Sequence, residues 1–430
     1  MFNQIKKNIN SFEFYELLDN VILGCRRIRS SDAVACSPIL LKITFVPSAI
    51  SAGYRLARSA IFHSSNPFLN PNIFLTFASM KNRILLFSML GVLLFSQQSC
   101  KNHKAQSNSK MTPYRLMFYN VENLFDADDD TQIDDQEFLP GSEMQWTNER
   151  LDTKLQHIAE VINALGKQEL LPDVIGLGEV ENRKVLDFLI TKTDLSSLGY
   201  SIVHFDSPDK RGIDVALLYR KDRFKPLKSH NYPVIFPGDM EKPTRDILYI
   251  KGELPNKSTL HVLVNHWPSR SGGQKETEAK RIMAAKTAKR LCDSISFNDP
   301  KANILIMGDL NDYPSDISLT EALQAQNDTS NKKAGLYNLM GWQKGENVGS
   351  HPYKGEWGFL DQIIVSGSII KGNNNIKTYF NQAKAFRPDF LIEKNEKFNN
   401  WQTKRTYGGK KYLGGYSDHL PVYVNLYLKN

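Results

Sequence analysis

Short apolar runs alternate along the chain with longer segments in which apolar residues recur at helical spacing. Residues 303–307 and 421–426 are two of the apolar runs, and their length predicts buried strands. Further strands are predicted at 114–119, 173–178, 200–204, 215–220, 246–252, 261–265 and 361–365. Helices are predicted at 146–165, from Leu151, Leu155, Ile158, Ile162 and Leu165, and at 276–294, from Ile282, Ala285, Ala288 and Leu291. The alternation predicts an α/β fold in which helices cover a sheet.

Polar residues suited to chemistry stand at the ends of several predicted strands. Asp309 and Asn311 come just past the run at 303–307 and share one direction, because they are two positions apart. Asp418 and His419 precede the last run. The arrangement recurs at Asn120 and Glu122, at Glu179, at His266 and at Asp361. A turn that only hydrogen-bonds its own backbone would explain any one of these segments. Together they indicate metal-assisted hydrolysis of a phosphate ester.

These motifs, in this order, resemble the endonuclease/exonuclease/phosphatase superfamily over residues 113–428. Members include deoxyribonuclease I, abasic-site endonucleases, inositol polyphosphate 5-phosphatases and neutral sphingomyelinases. The resemblance implies a deoxyribonuclease I-like fold: a four-layer α/β/β/α sandwich of two packed mixed β-sheets with outer helices. The motifs at 120–125 and 265–269 look most like predicted bacterial extracellular nucleases.

The resemblance implies a metal site. A phosphodiester is anionic, so a hard divalent cation, Mg²⁺ or Mn²⁺, is expected to neutralise charge on its oxygens. The implied ligands are Glu179, Asn120, Asp418 and Glu122, the last at a position where some relatives carry an acid. Gly178 departs from the pattern, because many relatives have glutamine before the metal-binding glutamate. The site is therefore expected to lack one polar neighbour.

The resemblance also implies residues that handle protons. His419 is expected to be the general base, or the donor to the transferring phosphoryl group, with Asp361 orienting its ring. Asp309 is expected to orient or deprotonate the attacking water. Asn311 is expected to donate to the developing charge, and His266 to be a second donor to the phosphoryl oxygens.

Candidates for substrate binding lie nearby in the sequence. Arg211 and Arg270 are each interpreted either as a phosphate clamp or as a surface charge. Residues 399–416 interleave aromatic and basic side chains, among them Tyr407 and Lys410. Such a segment can hold a single strand or a nucleotide by stacking and cationic contacts. The alternative is a glycine-rich hairpin whose aromatic rings pack on the sandwich.

Net charge adds little to this picture. The 430 residues carry a formal charge of +8, with 41% hydrophobic and 23% charged residues, as is typical of a large globular enzyme. Residues 1–99 contribute +6, which leaves +2 for residues 100–430. Global charge therefore argues little for a polyanionic substrate.

Residues 80–99 have the pattern of an export signal. Met80–Arg83 is positively charged, residues 84–95 are apolar, and a small-residue step ends in Cys100. This is typical of a bacterial lipoprotein signal, and predicts a lipid anchor on Cys100 and a location in the cell envelope. Gln97 and Gln98 depart from the usual lipobox. An ordinary buried helix is the alternative interpretation of this segment.

The signal sets expectations for the flanking sequence. Residues 100–112 are interpreted as a polar tether, and residues 1–79 as an upstream extension that is disordered or absent from the natural product. Without the signal only Cys100 and Cys292 remain, so no intramolecular disulfide is expected if Cys100 is acylated. Cys292 is interpreted as a helix-face residue rather than a nucleophile.

An acidic stretch at 126–137 has the spacing of a calcium-binding loop. The matching positions are Asp126, Asp128, Asp130 and Glu137. Thr131 stands where such a loop needs glycine, and no helix is predicted before it. A solvated insertion is favoured over a structural Ca²⁺ site.

Three functions follow from these observations. The leading hypothesis is a Mg²⁺-dependent nuclease-type phosphodiesterase of the cell envelope, with nucleic acid as its substrate. The second is a phosphatase or a phospholipase C-like hydrolase acting on sphingomyelin or an inositol phosphate. The third is a non-catalytic binding module, which the complete set of His, Asp and Asn residues argues against. No oligomer is implied.

Overall fold

The computed structural model describes residues 111–429, except 169, 237, 239–242 and 332–334. The predicted extension at 1–79, the signal at 80–99 and Cys100 lie outside the described residues. Among the helices of the described part, none is long and apolar enough to cross a membrane.

The strands and helices follow one another over the whole described part. In chain order the strands begin with β1 (Met111–Leu124), β2 (Val174–Val180), β3 (Tyr200–His204), β4 (Asp214–Arg220), β5 (Lys225–Tyr232), β6 (Ile247–Glu253), β7 (Thr259–His266), β8 (Ile304–Asp309), β9 (Ala325–Gln326) and β10 (Leu336–Asn338). They continue with β11 (His351–Tyr353), β12 (Glu356–Gly358), β13 (Asp361–Ser366), β14 (Ile376–Lys377), β15 (Lys384–Ala385), β16 (Ile392–Asn395), β17 (Asn400–Thr403), β18 (Tyr407–Gly408), β19 (Lys411–Tyr412) and β20 (Val422–Lys429). The helices are α1 (Asn148–Gln168), α2 (Arg183–Thr191), α3 (Gln274–Asn298) and α4 (Gly367–Lys371).

Two seven-stranded sheets form the centre of this unit. The first has the order β14-β20-β1-β2-β4-β3, with β15 also paired to β20, and the second has the order β5-β6-β7-β8-β13-β10-β9. Both are mixed, because β1 and β2 are parallel in the first and β7 and β8 are parallel in the second, whereas most other pairs are antiparallel. Three further hairpins, β11-β12, β16-β17 and β18-β19, are separate two-stranded sheets.

The sheets pack face to face and carry helices on their outer faces. In β1, Leu116 and Phe118 belong to the core between the sheets, whereas Met117 and Tyr119 belong to the core beneath α1 and α2. This alternation is the period of two expected of a strand buried on both faces. The second sheet forms a third core with α3, which includes Ala284. The predicted four-layer α/β/β/α sandwich is confirmed.

The parallel pairs bring the predicted site residues to one edge. Asn120 pairs with Gly178 across β1 and β2, and His266 pairs with Asp309 across β7 and β8. Parallel neighbours end at the same side of a sheet, so side chains that follow them are close in space. Asp309 is the last residue of β8 rather than the first residue after it.

Two minor predictions concern residues away from this edge. Cys292 lies on α3 and is buried, and burial raises the pKa of its thiol to about 12, which leaves it unreactive at neutral pH. In the acidic stretch, Asp126 and Asp128 both form ion pairs with Lys184. These two carboxylates are therefore already compensated by a side-chain cation.

We expect His261 to make stability depend on pH. Burial, with a smaller contribution from Lys251, lowers the pKa of His261 to about 4, and its Nδ1 lies 2.9 Å from the Tyr249 hydroxyl. Between pH 6.5 and 4 the unfolded chain binds a proton that the folded chain does not, so stability falls as the pH drops through this window. The slope is at most about 1.4 kcal/mol per pH unit.

The His261→Gln variant retains a polar partner for Tyr249 but has no proton to gain. Urea unfolding at a series of pH values should give a shallower loss of stability between pH 6.5 and 4 than for the unchanged protein. Equal slopes in the two proteins would show that His261 is not the cause.

Candidate active site

A histidine and a carboxylate from distant parts of the chain form a buried pair. Nδ1 of His419 lies 2.7 Å from Oδ2 of Asp361, the first residue of β13. The backbone N–H of His419 donates to the hydroxyl of Ser417, which fixes the loop before β20. Nε2 of His419 lies 3.8 Å from Oδ2 of Asp309 and 4.0 Å from Oδ1 of Asp418. The paired ring therefore presents its other nitrogen to two further carboxylates.

A buried amide joins two carboxylates across the sheets. Nδ2 of Asn120 donates to Oε1 of Glu179 at 3.2 Å and to Oδ2 of Asp309 at 3.1 Å. The backbone N–H of Asn123 donates to the other oxygen of Glu179. Glu179 and Asp309 thus converge on one donor although they come from different sheets.

His266 and Asn311 complete the cluster around Asp309. Nε2 of His266 lies 3.6 Å from Oδ2 of Asp309 and 3.8 Å from Oε1 of Glu179. The backbone N–H of Asn311 donates to Oδ1 of Asp309, and the Asn311 amide donates to the carbonyl of Trp267. The Asn311 amide is therefore engaged by a backbone carbonyl in this structure.

The surroundings of Asp309 and His419 shift their protonation in the same direction. Burial raises the pKa of Asp309 to about 7, although His419 opposes the shift. Burial alone would lower the pKa of His419, but the charges of Asp361 and Asp309 outweigh it and hold this pKa well above its ordinary value. These surroundings favour the imidazolium form of His419 and make the Asp309 carboxylate a stronger base than an ordinary aspartate.

His266 has the opposite electrostatic setting. Burial, then the charges of Arg245 and Arg211, hold its pKa well below the ordinary value. Arg245 is buried, pairs with Asp209 and donates to the carbonyl of His266. Arg211, a predicted phosphate clamp, is exposed, and its charge acts on His266. Within the part of the chain that the structure describes it forms no ion pair, so it is an available cation at the margin of the cluster.

Glu122, a predicted metal ligand, faces the loop before Asp418 instead. Its carboxylate accepts the backbone N–H groups of Thr406 at 2.6 Å and Tyr407 at 3.3 Å. Lys154 on α1 is buried beside it and donates to the hydroxyl of Thr406 and to the carbonyl of Tyr416. Two buried charges therefore anchor the loop, and the prediction for Glu122 is corrected to a loop anchor.

Three of the predicted substrate-binding residues are occupied in other contacts. Arg270 donates from Nε to the carbonyl of Asn311 and pairs through Nη2 with Asp312 and Asp316, so two of its three nitrogens are already bound by protein groups. The ring of Tyr407 is buried, with its hydroxyl donating to a backbone carbonyl, and Lys410 pairs with Glu143. A buried ring has no free face for stacking, so Tyr407 is corrected to a packing residue.

His351 is a member of the site that the sequence patterns do not reveal. Its ring lies 4.6 Å from that of His419, centroid to centroid, and its ring nitrogen is within 4.8 Å of an Asp418 oxygen. Ser350 connects it to the pair: its hydroxyl accepts from Asp361 N–H and its carbonyl accepts from Leu420 N–H. His351 begins a three-residue strand with no apolar run before it, so no strand-end signal marks it.

Asp418 lies between this histidine and a cation. Its Oδ2 accepts from Arg405 at 2.8 Å. Burial would raise its pKa, but His419, His351 and Arg405 outweigh burial and lower it. Asp418 therefore stays ionised at the side of the cluster formed by the two histidines.

The donor set fits a divalent cation. Glu179 and Asp309 offer carboxylate oxygens that converge on Asn120, and such oxygens suit Mg²⁺ or Mn²⁺. Among the described residues, Oδ1 of Asp361 and Nδ1 of His266 are buried without a hydrogen-bond partner. Unsatisfied buried polar atoms at a cluster of this kind are where an ion, a water or a substrate binds.

The fold and the site define a phosphoester hydrolase: a four-layer sandwich with a His–Asp pair, converging carboxylates and neutral donors at one edge. The chain belongs to the Endonuclease/Exonuclease/phosphatase family, whose model matches residues 115–428. No curated protein matches the chain.

Several solved structures are similar to the chain at low identity. Truncated Caenorhabditis elegans TDP2 is 16% identical, with 74% of this chain and 97% of that chain covered and a TM-score of 0.45. The human Nocturnin catalytic domain with bound sulfate is 17% identical, with 74% and 96% covered and a TM-score of 0.43. A mannosyl-6-phosphatase of Bacteroides thetaiotaomicron is 13% identical, with 73% and 99% covered and a TM-score of 0.44.

We expect the Asp361→Asn variant to lose most phosphoester hydrolysis. The amide cannot stabilise the imidazolium of His419, so kcat should fall by about 10²–10⁴-fold while KM changes little. Steady-state kinetics on a phosphodiester, with circular dichroism to verify folding, measure this. A kcat within a few-fold of the unchanged protein would remove Asp361 from the site.

Glu122→Gln and Glu179→Gln should separate loop anchoring from metal binding. For Glu179→Gln, half-maximal activation should need about tenfold more Mg²⁺ or Mn²⁺, because one anionic oxygen is lost. For Glu122→Gln the metal requirement should be unchanged and kcat should fall, because the loop before Asp418 loosens. A raised metal requirement in Glu122→Gln would restore it as a ligand.

Proposed function

We propose that the chain is a nuclease-type phosphodiesterase that depends on a divalent cation, Mg²⁺ or Mn²⁺. The observation that carries the proposal is that the His419–Asp361 pair lies next to the carboxylates of Asp309 and Glu179. Nε2 of His419, whose other nitrogen is bound by Asp361, lies 3.8 Å from the Asp309 carboxylate. Asn120 links that carboxylate to Glu179. The proton-handling residues and the negative oxygens thus lie next to one another at one edge of the sandwich.

Hydrolysis needs a group that accepts a proton and groups that donate to the charged oxygens. Asp309, His419 and His266 differ in protonation state and can therefore take these different roles. A bond forms between a water oxygen and phosphorus while the bond to the leaving oxygen breaks. Asp309 accepts the proton of the water, since burial places its pKa at about 7. His419, held as an imidazolium, donates a hydrogen bond from Nε2 to a phosphoryl oxygen, and neutral His266 donates to a second one. The leaving oxygen departs with the electron pair of the broken bond and takes a proton from solvent water.

The cation belongs on the Glu179 side of this arrangement. Glu179 would hold it, with Asp309 beside it. Asn120 would join as a ligand through Oδ1 after its amide rotates, because its Nδ2 donates to both carboxylates in this structure. Asp418 stays a candidate ligand on the other side. A bound Mg²⁺ or Mn²⁺ supplies charge neutralisation at the phosphate oxygens, which water alone attacks reluctantly. The proposal for the metal rests on this donor set and on the family's general dependence on divalent metals.

Nucleic acid is the proposed substrate, and the cell envelope the proposed location. The motifs at 120–125 and 265–269 support a nuclease, since they resemble predicted bacterial extracellular nucleases. The lipid anchor predicted on Cys100 would attach the protein to a membrane, and it would also favour the second candidate, a phospholipase C-like hydrolase of sphingomyelin or inositol phosphates. A phosphatase is a variant of this second candidate.

A substrate panel tests the proposal. With Mg²⁺ or Mn²⁺ the purified protein should cleave duplex DNA, single-stranded DNA or RNA, and a chelator should abolish cleavage. His419→Ala should lower the rate by at least about 10²-fold, because the imidazolium donor is lost. His261→Gln, a histidine change far from the site, serves as the matched control and should leave the rate unchanged.

Inositol phosphates and sphingomyelin vesicles complete the panel. Turnover of these without nucleic-acid cleavage would replace the nuclease proposal with the second candidate. If the protein and His419→Ala are equally inactive on every phosphoester, the non-catalytic binding module becomes the better account.

A further inference from the structure

Two β-hairpins next to the active site expose aromatic rings. Tyr353, Phe398 and Trp401 are 60%, 39% and 37% exposed, respectively. Tyr353 ends β11, Phe398 lies in the turn between β16 and β17, and Trp401 lies in β17. Large aromatic side chains left in solvent on neighbouring hairpins are candidates for a binding surface.

The two hairpins form one surface because they are bonded together. Nδ2 of Asn400 donates to the carbonyl of Gly355 at 2.6 Å, and Nε1 of Trp357 donates to the carbonyl of Trp401 at 3.0 Å. Gly355 has a φ of +87°, and a Cβ there would lie 2.9 Å from Cβ of Phe398. The lack of a side chain at Gly355 thus permits the close approach that places the rings together.

A lysine side chain lies near each of the three rings. Nζ of Lys354 lies 5.2 Å from the ring centroid of Tyr353, Nζ of Lys397 lies 5.3 Å from that of Phe398, and Nζ of Lys394 lies 5.8 Å from that of Trp401. These distances are within the range of cation–π attraction. We name these six residues the aromatic platform. It presents flat apolar faces and positive charges side by side.

The platform is continuous with the active site. His351 and Tyr353 lie on the same side of β11, because they are two residues apart, at a spacing of about 7 Å. The ring of His351 in turn lies 4.6 Å from that of His419. The path from His419 through His351 to Tyr353 is therefore about 12 Å. A strand whose scissile phosphate lies at His419 would reach Tyr353 within about three to four nucleotides, at about 3.4 Å each.

We propose that the aromatic platform binds the bases of single-stranded nucleic acid next to the scissile phosphate. This inference rests on the proposed function and names the form of its substrate. Flat rings that stack on any base, interleaved with cations for the backbone, are the means by which proteins hold single strands without reading sequence.

The turns of the hairpins argue against a membrane as the occupant. The first turn contains Lys354, and the second contains Glu396 and Lys397 beside Phe398. Insertion into lipid would bury these charges, which costs much more than the rings recover. The platform therefore suits an anionic, stacked and water-accessible ligand.

The test replaces the three rings together, with Tyr353→Ala, Phe398→Ala and Trp401→Ala in one protein. All three side chains are exposed, so the fold should persist. The matched control is Phe297→Ala, which removes the 88% exposed ring near the end of α3, at the opposite edge of the sheet. Binding is measured in a His419→Ala background by fluorescence anisotropy, so that cleavage does not interfere.

The probes are a short oligothymidylate, an abasic strand of the same length and sphingomyelin vesicles. The triple variant should bind the oligothymidylate at least about tenfold more weakly, since each lost stack costs several-fold. It should bind the abasic strand as well as the unchanged protein does. With His419 present, its turnover of bis(p-nitrophenyl) phosphate, which is too small to extend from His419 to the platform, should be unaltered.

The outcomes separate this inference from the proposed function. Equal binding of the oligothymidylate by both proteins, or equal loss with the abasic strand, overturns the platform even if DNA is cleaved. Loss of vesicle binding in place of strand binding also overturns it and identifies a lipid-facing surface. Platform-dependent strand binding without any cleavage would support the platform while the nuclease proposal fails.

Discussion

The hydrogen bonds of one buried amide are the interaction on which the site depends. Asn120 comes from the first sheet, yet it donates to Glu179 beside it and to Asp309 on the second sheet. Two carboxylates this close in a buried place repel each other, and a shared donor lowers that cost. The same contact fixes the relative position of the two sheet edges. His266 and Asp361, which holds His419, already flank Asp309 within the second sheet, so the Asn120 contact is what brings Glu179 to this group.

The backbone is strained at the same edge of the sheets, next to the hydrogen bonds of Asn120. Glu122, Asn123, Glu179 and Asn311 all have left-handed φ values between 53° and 62°. Such conformations are unfavourable for residues with side chains, and they persist where surrounding contacts determine them. At Glu179 the carboxylate is held by Asn120 and by the backbone of Asn123. In a regular strand, consecutive side chains point to opposite faces of the sheet. The left-handed residues at these strand ends change the direction of the chain, so that neighbouring side chains point into the site.

The parts of the molecule that sequence reasoning predicts are those governed by local periodicity. The strands that carry Asn120, Glu179, His266 and Asp309 have apolar runs, so both their existence and their site ends were predictable. Glu122, Lys154 and Tyr407 were not, because their roles depend on how the loop at 404–416 folds back on α1. That loop has no periodicity, and its contacts are long-range. His351 was missed for the same reason.

The two histidines near Asp309 show why residue type alone does not determine a role. His266 is surrounded by burial and by Arg245 and Arg211, which favour its neutral form. His419 is equally buried but lies against Asp361 and Asp309, which favour its charged form. A neutral and a charged imidazole on either side of one carboxylate provide two different donors from a single residue type. The difference comes from neighbours contributed by other strands and loops, and it exists only once the two sheets have packed.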